Sequence, residues 1–188
     1  MTNQYNHIPR YTTTARILHW LMAAIFIVAW LIGFYSTEFM SYGDGGSRGA
    51  VITLHKNIAS TILFLVVIRI FWRYTHPAPA LPENMSPLMQ KMAHGAHHLL
   101  YLLLVLVPIS GCVFSWSAGH PVPVLYLFNI PQLVQANPSI VAWARPVHEW
   151  LALFAGLVVV VHLLAALKHH FIDKDSVLLS MLPERKQR

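Results

Sequence analysis

Apolar residues run almost unbroken from Ile17 to Phe34, with one histidine, His19, set among them. Three more long apolar runs follow, and together they predict membrane spans at about 16–36, 50–72, 88–116 and 144–171. A bilayer core about 30 Å thick needs roughly 20 helical residues, so each run is long enough to cross it. The first run exceeds the 7–15 residues of a signal-peptide core, and it reads as a retained helix. The segments between the runs carry turn and breaker residues. Residues 37–49 hold Gly43, Gly45, Gly46 and Gly49; 73–87 hold Pro77, Pro79, Pro82 and Pro87; 117–143 hold Pro121, Pro123, Pro131 and Pro138. All three are expected to be loops, the first because clustered glycines favour turns and the other two because proline cannot sit throughout a helix. Pro108, inside the third run, predicts a kink. A polar lead (1–15) and a charged tail flank the four spans, and no repeat of 20–50 residues appears.

Composition sharpens this picture. The chain is 56% apolar and 11% charged, against about 25% charged in a soluble domain. The expectation is an all-α integral membrane four-helix bundle, one domain spanning 1–188, embedded in the lipid bilayer. The net charge of +6 is then a topology signal and not a nucleic-acid footprint. Ten of the thirteen Lys and Arg residues (Arg10, Arg16, Arg69, Arg73, Lys91, Lys168, Lys174, Arg185, Lys186 and Arg188) fall on one side; Arg48, Lys56 and Arg145 fall on the other. That places both termini in the cytoplasm and the 37–49 and 117–143 loops outside. The single cysteine, Cys112, excludes an internal disulfide, a C-x-x-C-H haem attachment and an iron–sulfur cluster.

Twelve histidines are many for such a chain, and histidine at membrane depth marks a ligand, a relay or an interface contact. His148 and His162 stand fourteen residues apart on the fourth span. Fourteen residues are close to four turns, so both face one side, separated in depth by roughly 21 Å at about 1.5 Å per residue. Depth pairs His19 with His162 near the cytoplasm, and His55 with His148 near the outside. Two depth-matched pairs suit two stacked b-type haems, each held by two neutral imidazoles. Arg16, Arg69 and Arg73 are available to inner propionates, and Lys56 and Arg145 to outer ones. Gly156 and Ala59 would leave room for a flat macrocycle. His94, His97 and His98 read as a solvated helix end, although His94 and His98 have metal-ligand spacing. His76 and His120 read as loop residues. His169 and His170 read as a cap or as the lining of a quinone site.

The segments Ile17-Leu18-His19-Trp20, Leu54-His55-Lys56, Val147-His148-Glu149 and Val161-His162-Leu163, with His169-His170 downstream, resemble the bacterial cytochrome b561 family. So do Ala93-His94, His97 and the Met181-Leu182-Pro183 that precedes basic residues. The resemblance covers nearly the whole chain. It implies a four-helix dihaem protein of the inner membrane, with His19 and His162 on one haem and His55 and His148 on the other. It further implies a superoxide oxidase that passes electrons to ubiquinone. On that reading Lys56 and Arg145 steer superoxide to the outer haem edge, or pair with propionates. His169 would serve quinone protonation, and Trp20 would pack on the quinone or belong to the interfacial aromatic belt. The alternatives are a haem b subunit that links another dehydrogenase or carrier to the quinone pool, and a histidine-rich metal transporter without haem. The transporter would need paired carboxylates at membrane depth, and only Glu149 stands near one.

Overall fold

The first, third and fourth spans each begin where the sequence supplies a side-chain cap. In the computed structural model, which describes residues 10–41, 46–82 and 85–183, α1 spans Thr13–Glu38, and the Thr12 hydroxyl accepts the Ala15 N–H at 3.3 Å. The second span is two helices end to end, α2 (Ser47–Ala59) and α3 (Thr61–Thr75). The third is α4 (Pro87–Ser117), opened by Ser86 and Pro87, and the fourth is α5 (Pro138–Lys168), opened by Asn137 and Pro138. A capping side chain satisfies an N–H the helix cannot, and proline in the first turn forfeits no bond. All four spans are long and apolar enough to cross a membrane. Residues 1–9, Gly43, Gly45 and the basic Arg185, Lys186 and Arg188 lie outside the described residues.

The loops are shorter than the sequence suggests. Thr37 and Glu38 extend α1, and the Thr37 hydroxyl returns to the Gly33 carbonyl at 2.9 Å. The second span runs on to Thr75 and the fourth starts at Pro138. Within 117–143 lies a small antiparallel hairpin, β1 (Val122–Val124) with β2 (Phe128–Ile130). Its turn puts Leu125 and Tyr126 at positive φ, 49° and 59°. That turn conformation usually recruits Asn or Gly, and here Asn57 of α2 holds it instead. The Asn57 carbonyl accepts the Leu125 N–H at 3.2 Å, and its side-chain oxygen accepts the Tyr126 N–H. Ser60, at the break between α2 and α3, donates to the Pro123 carbonyl at 2.8 Å. The helix break and the hairpin are thus one feature.

The segment leading into α1 meets the segment that follows α5 at the opposite end of the bundle. After α5 a single π-helical turn (His169–Asp173) and a 3₁₀ turn (Leu179–Met181) fold the tail back as a strap across α1. Tyr11 N donates to Ser180 O at 3.2 Å, Arg10 and Arg16 donate to Leu182 O at 3.1 and 2.8 Å, and the Trp20 indole donates to Met181 O at 2.9 Å. The tail is therefore an ordered part of the bundle as far as Pro183 and not a free charged end.

Few side chains are fully buried, because the outer faces of the helices meet lipid. One core cluster joins Met22, Ile62 and Val66, with Tyr101 and Leu104 packed against it. A second joins the buried Cys112 and Trp116 to Val122 of the hairpin. The reach of Trp30 from α1 to α5 depends on a glycine. A Cβ at Gly156 would stand 2.8 Å from the Trp30 indole, whose N–H donates to the Ala152 carbonyl at 2.8 Å. Gly156 therefore makes room for Trp30 and not for a macrocycle, contrary to the sequence reading. Small residues that admit a neighbour, joined by an interhelical hydrogen bond, are how membrane helices associate when lipid removes the hydrophobic drive.

Candidate functional site

The helices bring the histidines together in two layers. His19 of α1 and His162 of α5 stand 6.2 Å apart between ring centres, near the strap. His55 of α2 and His148 of α5 stand 6.4 Å apart, near the hairpin. A metal–imidazole bond is roughly 2 Å, and the ring centre lies about 1 Å behind the nitrogen, so two imidazoles sharing one metal stand roughly 6 Å apart. Both pairs have that separation, and the pairs coincide with those deduced from depth.

The pair near the hairpin is set for ligation by its second contacts. The His55 Nδ1–H donates to the Ala29 carbonyl at 2.8 Å. The His148 Nδ1–H donates to the Val107 carbonyl at 3.1 Å and the Ser110 hydroxyl at 3.0 Å. A proton held on Nδ1 leaves the Nε2 lone pair for a metal, and such a bond also fixes the ring's orientation. Each ring rests on a glycine. A Cβ at Gly33 would come within 3.0 Å of His55, and one at Gly111 within 2.9 Å of His148. The space about the pair is a cavity of about 380 Å³ walled by Trp30, Phe34, Ala59, Pro108 and Val122. Apolar walls, a flat stacked Trp30–Phe34 pair and two facing imidazoles fit the axial ligation and apolar enclosure of a haem.

The mouth of this cavity is polar. Lys56 lines it and donates to the Ser115 hydroxyl and the Pro121 carbonyl, each at 3.2 Å; His120 and Glu149 line it as well. Arg145 does not line it. Its guanidinium turns along α5 to Glu149, Nε to Oε1 at 2.9 Å. The three-residue spacing from His148 puts Arg145 on the right helical face, but Glu149 one turn on offsets its charge.

At the strap end the arginines divide. Arg69 donates to the Ala15 carbonyl at 3.2 Å and to His19 Nδ1 at 3.3 Å. Arg16 is engaged with Leu182 and Thr13. Arg73 keeps a buried Nη1 without a hydrogen-bond partner, beside the Tyr11 ring. Burial pushes the Tyr11 phenol above its ordinary value, with Arg73 pulling the other way. A buried guanidinium nitrogen without an acceptor suits an arriving carboxylate, such as a propionate. Trp20 lies edge-on to His19 at 5.3 Å and is tied to the strap, so it belongs to the bundle's terminal packing.

His169 meets Asp175 at 2.6 Å and Asp173 at 3.2 Å, and Lys168 pairs with Asp173 at 2.6 Å. The lysine and the imidazole already answer both carboxylates. This is a self-contained hydrogen-bonded network at the head of the strap, and the sequence gives no hint of it, because Asp173 and Asp175 read as tail. The other histidines also find places. His98 Nδ1–H donates to the His94 carbonyl within its own helix at 2.8 Å, and His76 stacks on Trp72 at 4.0 Å. His97 is no mere helix end: its ring lies 5.7 Å from that of His162. Nothing within α4 singles it out from His94 and His98, and only the neighbouring α5 reveals its partner.

Four membrane-length helices with paired imidazoles between them define the class: a multi-pass membrane protein with two histidine pairs inside its bundle. A family profile described as prokaryotic cytochrome b561 matches residues 10–184, and the chain belongs to that family. The family binds b-type haem and transfers electrons in the membrane, and the chain is a multi-pass inner-membrane protein. It is 36% identical over 173 residues to cytochrome b561 homolog 2 of Escherichia coli, covering 92% of this chain and 91% of that protein. It is 30% identical over 169 residues to probable superoxide oxidase CybB of Yersinia pestis, covering 90% and 93%. It is 28% identical over 183 residues to cytochrome b562 of Cereibacter sphaeroides, covering 94% and 98%.

Proposed function

We propose that this chain is a single-domain dihaem cytochrome that oxidises superoxide outside the inner membrane and reduces ubiquinone near the cytoplasm. The observation that carries the reading is the pair of imidazole couples, at 6.2 and 6.4 Å, set at two depths along α5. His55 and His148 hold one haem b, and His19 and His162 the other. Haem iron, when bound, supplies a one-electron couple between its ferric and ferrous forms. The ten-to-three distribution of Lys and Arg places both termini in the cytoplasm, so the hairpin and the Lys56 mouth face outward.

In the net reaction two superoxide anions each lose one electron and become dioxygen, and one ubiquinone gains two electrons and two protons. On the outer side the protein needs only to attract a small anion. Lys56 does this at the mouth of the cavity, a site whose apolar walls strengthen its field. Arg145 contributes less, since Glu149 offsets it. On the cytoplasmic side the His169–Asp175 pair holds a proton within reach of the strap. Arg73 offers its unpartnered nitrogen to a propionate, and Arg69, which like Arg73 acts on Tyr11, adds positive charge nearby. The relative named as a probable superoxide oxidase supports this choice of donor. The relatives named only as b-type cytochromes also fit a subunit that takes electrons from a separate dehydrogenase.

Stopped-flow absorbance separates the two. Oxidised protein mixed with superoxide should show reduced b-haem bands at once, and added soluble ubiquinone should reverse them. Bands that develop with dithionite but not with superoxide would assign the donor to another protein.

A further inference from the structure

The cytoplasmic layer holds three imidazoles and not two. His162 faces His19 of α1 at 6.2 Å and His97 of α4 at 5.7 Å, with interplanar angles of 71° and 69°. Both separations are close to the roughly 6 Å that two imidazoles on one metal require. Nothing in the geometry of His162 distinguishes the two partners. Their own contacts do.

Arginine has donors only, so the His19 Nδ1 that meets Arg69 at 3.3 Å must be the acceptor. The proton of neutral His19 then sits on Nε2, where a metal would need the lone pair. His55 and His148 are held the opposite way, with Nδ1 donating to carbonyls. His19 becomes a ligand only once Arg69 lets go of it. The second layer is thus less committed to one ligand pair than the first, and a second imidazole stands at the right distance.

We infer that His97 is a third iron-reaching ligand of the cytoplasmic haem, able to take the place of His19 opposite His162. The inference rests on the proposed seating of a haem at His162. Its consequence is redundancy: removing His19 leaves a complete bis-imidazole site, whereas removing His19 and His97 together leaves one ligand. At the hairpin end His120 lines the mouth of the cavity, but among the described residues no third imidazole is in ring contact with His55 or His148 as His97 is with His162.

The test is haem stoichiometry and low-temperature EPR on the purified full chain, with the outer haem's band as an internal report of folding. His19→Ala should keep two b haems per chain, both low-spin, and added imidazole should leave the spectrum unchanged. The His19→Ala/His97→Ala double variant should fall to one haem per chain, or to a high-spin second haem that imidazole converts to low-spin. His19→Gln, which keeps the side chain's bulk, repeats the first arm should the alanine variant lose the outer band. A single His19 variant that already shows one haem, or a high-spin haem rescued by imidazole, would overturn the role of His97. Two low-spin haems in the double variant would overturn it as well. Failure of the underlying site is read separately: His162→Ala would then keep two low-spin haems.

Discussion

Gly111→Ala is the smallest change that bears on the outer haem site. The added methyl would stand 2.9 Å from His148 Cε1 and 3.3 Å from Nδ1. Ordinary contact begins near 3.4 Å, so the ring must retreat by about half an ångström, away from the methyl. The imidazole is not free to do so. Its Nδ1–H is held by Val107 O at 3.1 Å and Ser110 Oγ at 3.0 Å, both on the same helix as Gly111. Stretching those contacts forfeits one to two hydrogen bonds, about 1–3 kcal/mol. The same energy expressed as affinity is roughly a 5- to 150-fold weakening of haem at that site. The measurement is haem retained per chain during dialysis against apomyoglobin, with the cytoplasmic haem as internal standard. Gly95→Ala is the matched control, since a Cβ there meets nothing within 4 Å. Equal haem loss from both variants, or an unchanged outer haem in Gly111→Ala, would refute the idea that this glycine sets the ligand's position.

The other expectations concern packing and charge. Trp30→Phe removes the indole bond to Ala152 and should cost about 1 kcal/mol of bundle stability, seen as a lower Tm in detergent with both haems still bound at room temperature. Asn57→Ala strips the acceptor from the Tyr126 N–H and should loosen the hairpin turn by about 1–3 kcal/mol; faster proteolysis within 122–130 would report it, and equal rates would count against the anchor. Lys56→Gln should lower superoxide turnover and flatten its dependence on ionic strength, while Arg145→Gln should do so less because Glu149 already offsets that charge. Equal effects of the two would show that the ion pair does not matter to steering.

The four apolar spans and the partners in the two imidazole pairs were legible in the sequence. An apolar run of some twenty residues crosses a bilayer as a helix, and a helix has one rise per residue, so position in the chain converts directly to distance along it. The fourteen residues between His148 and His162 therefore carried real geometric information. What sits beside what at a given depth was not legible. Gly156 could have faced a macrocycle or an indole, and the Trp30 side chain reaching across from α1 occupies the space beside it. Gly33 and Gly111, which support the histidines, looked like any other helical glycine. His97 read as a helix end because its partner lies on a helix more than sixty residues away in the chain. The hairpin carried no turn signature of its own, since the acceptor that stabilises its positive-φ residues is a side chain from α2. Arg145 and Arg16 looked available as charges until Glu149 and the folded-back strap were seen to occupy them. Depth is a property of a single helix and follows from its sequence; lateral neighbours arise from how helices rotate and pack, and only the assembled bundle decides them.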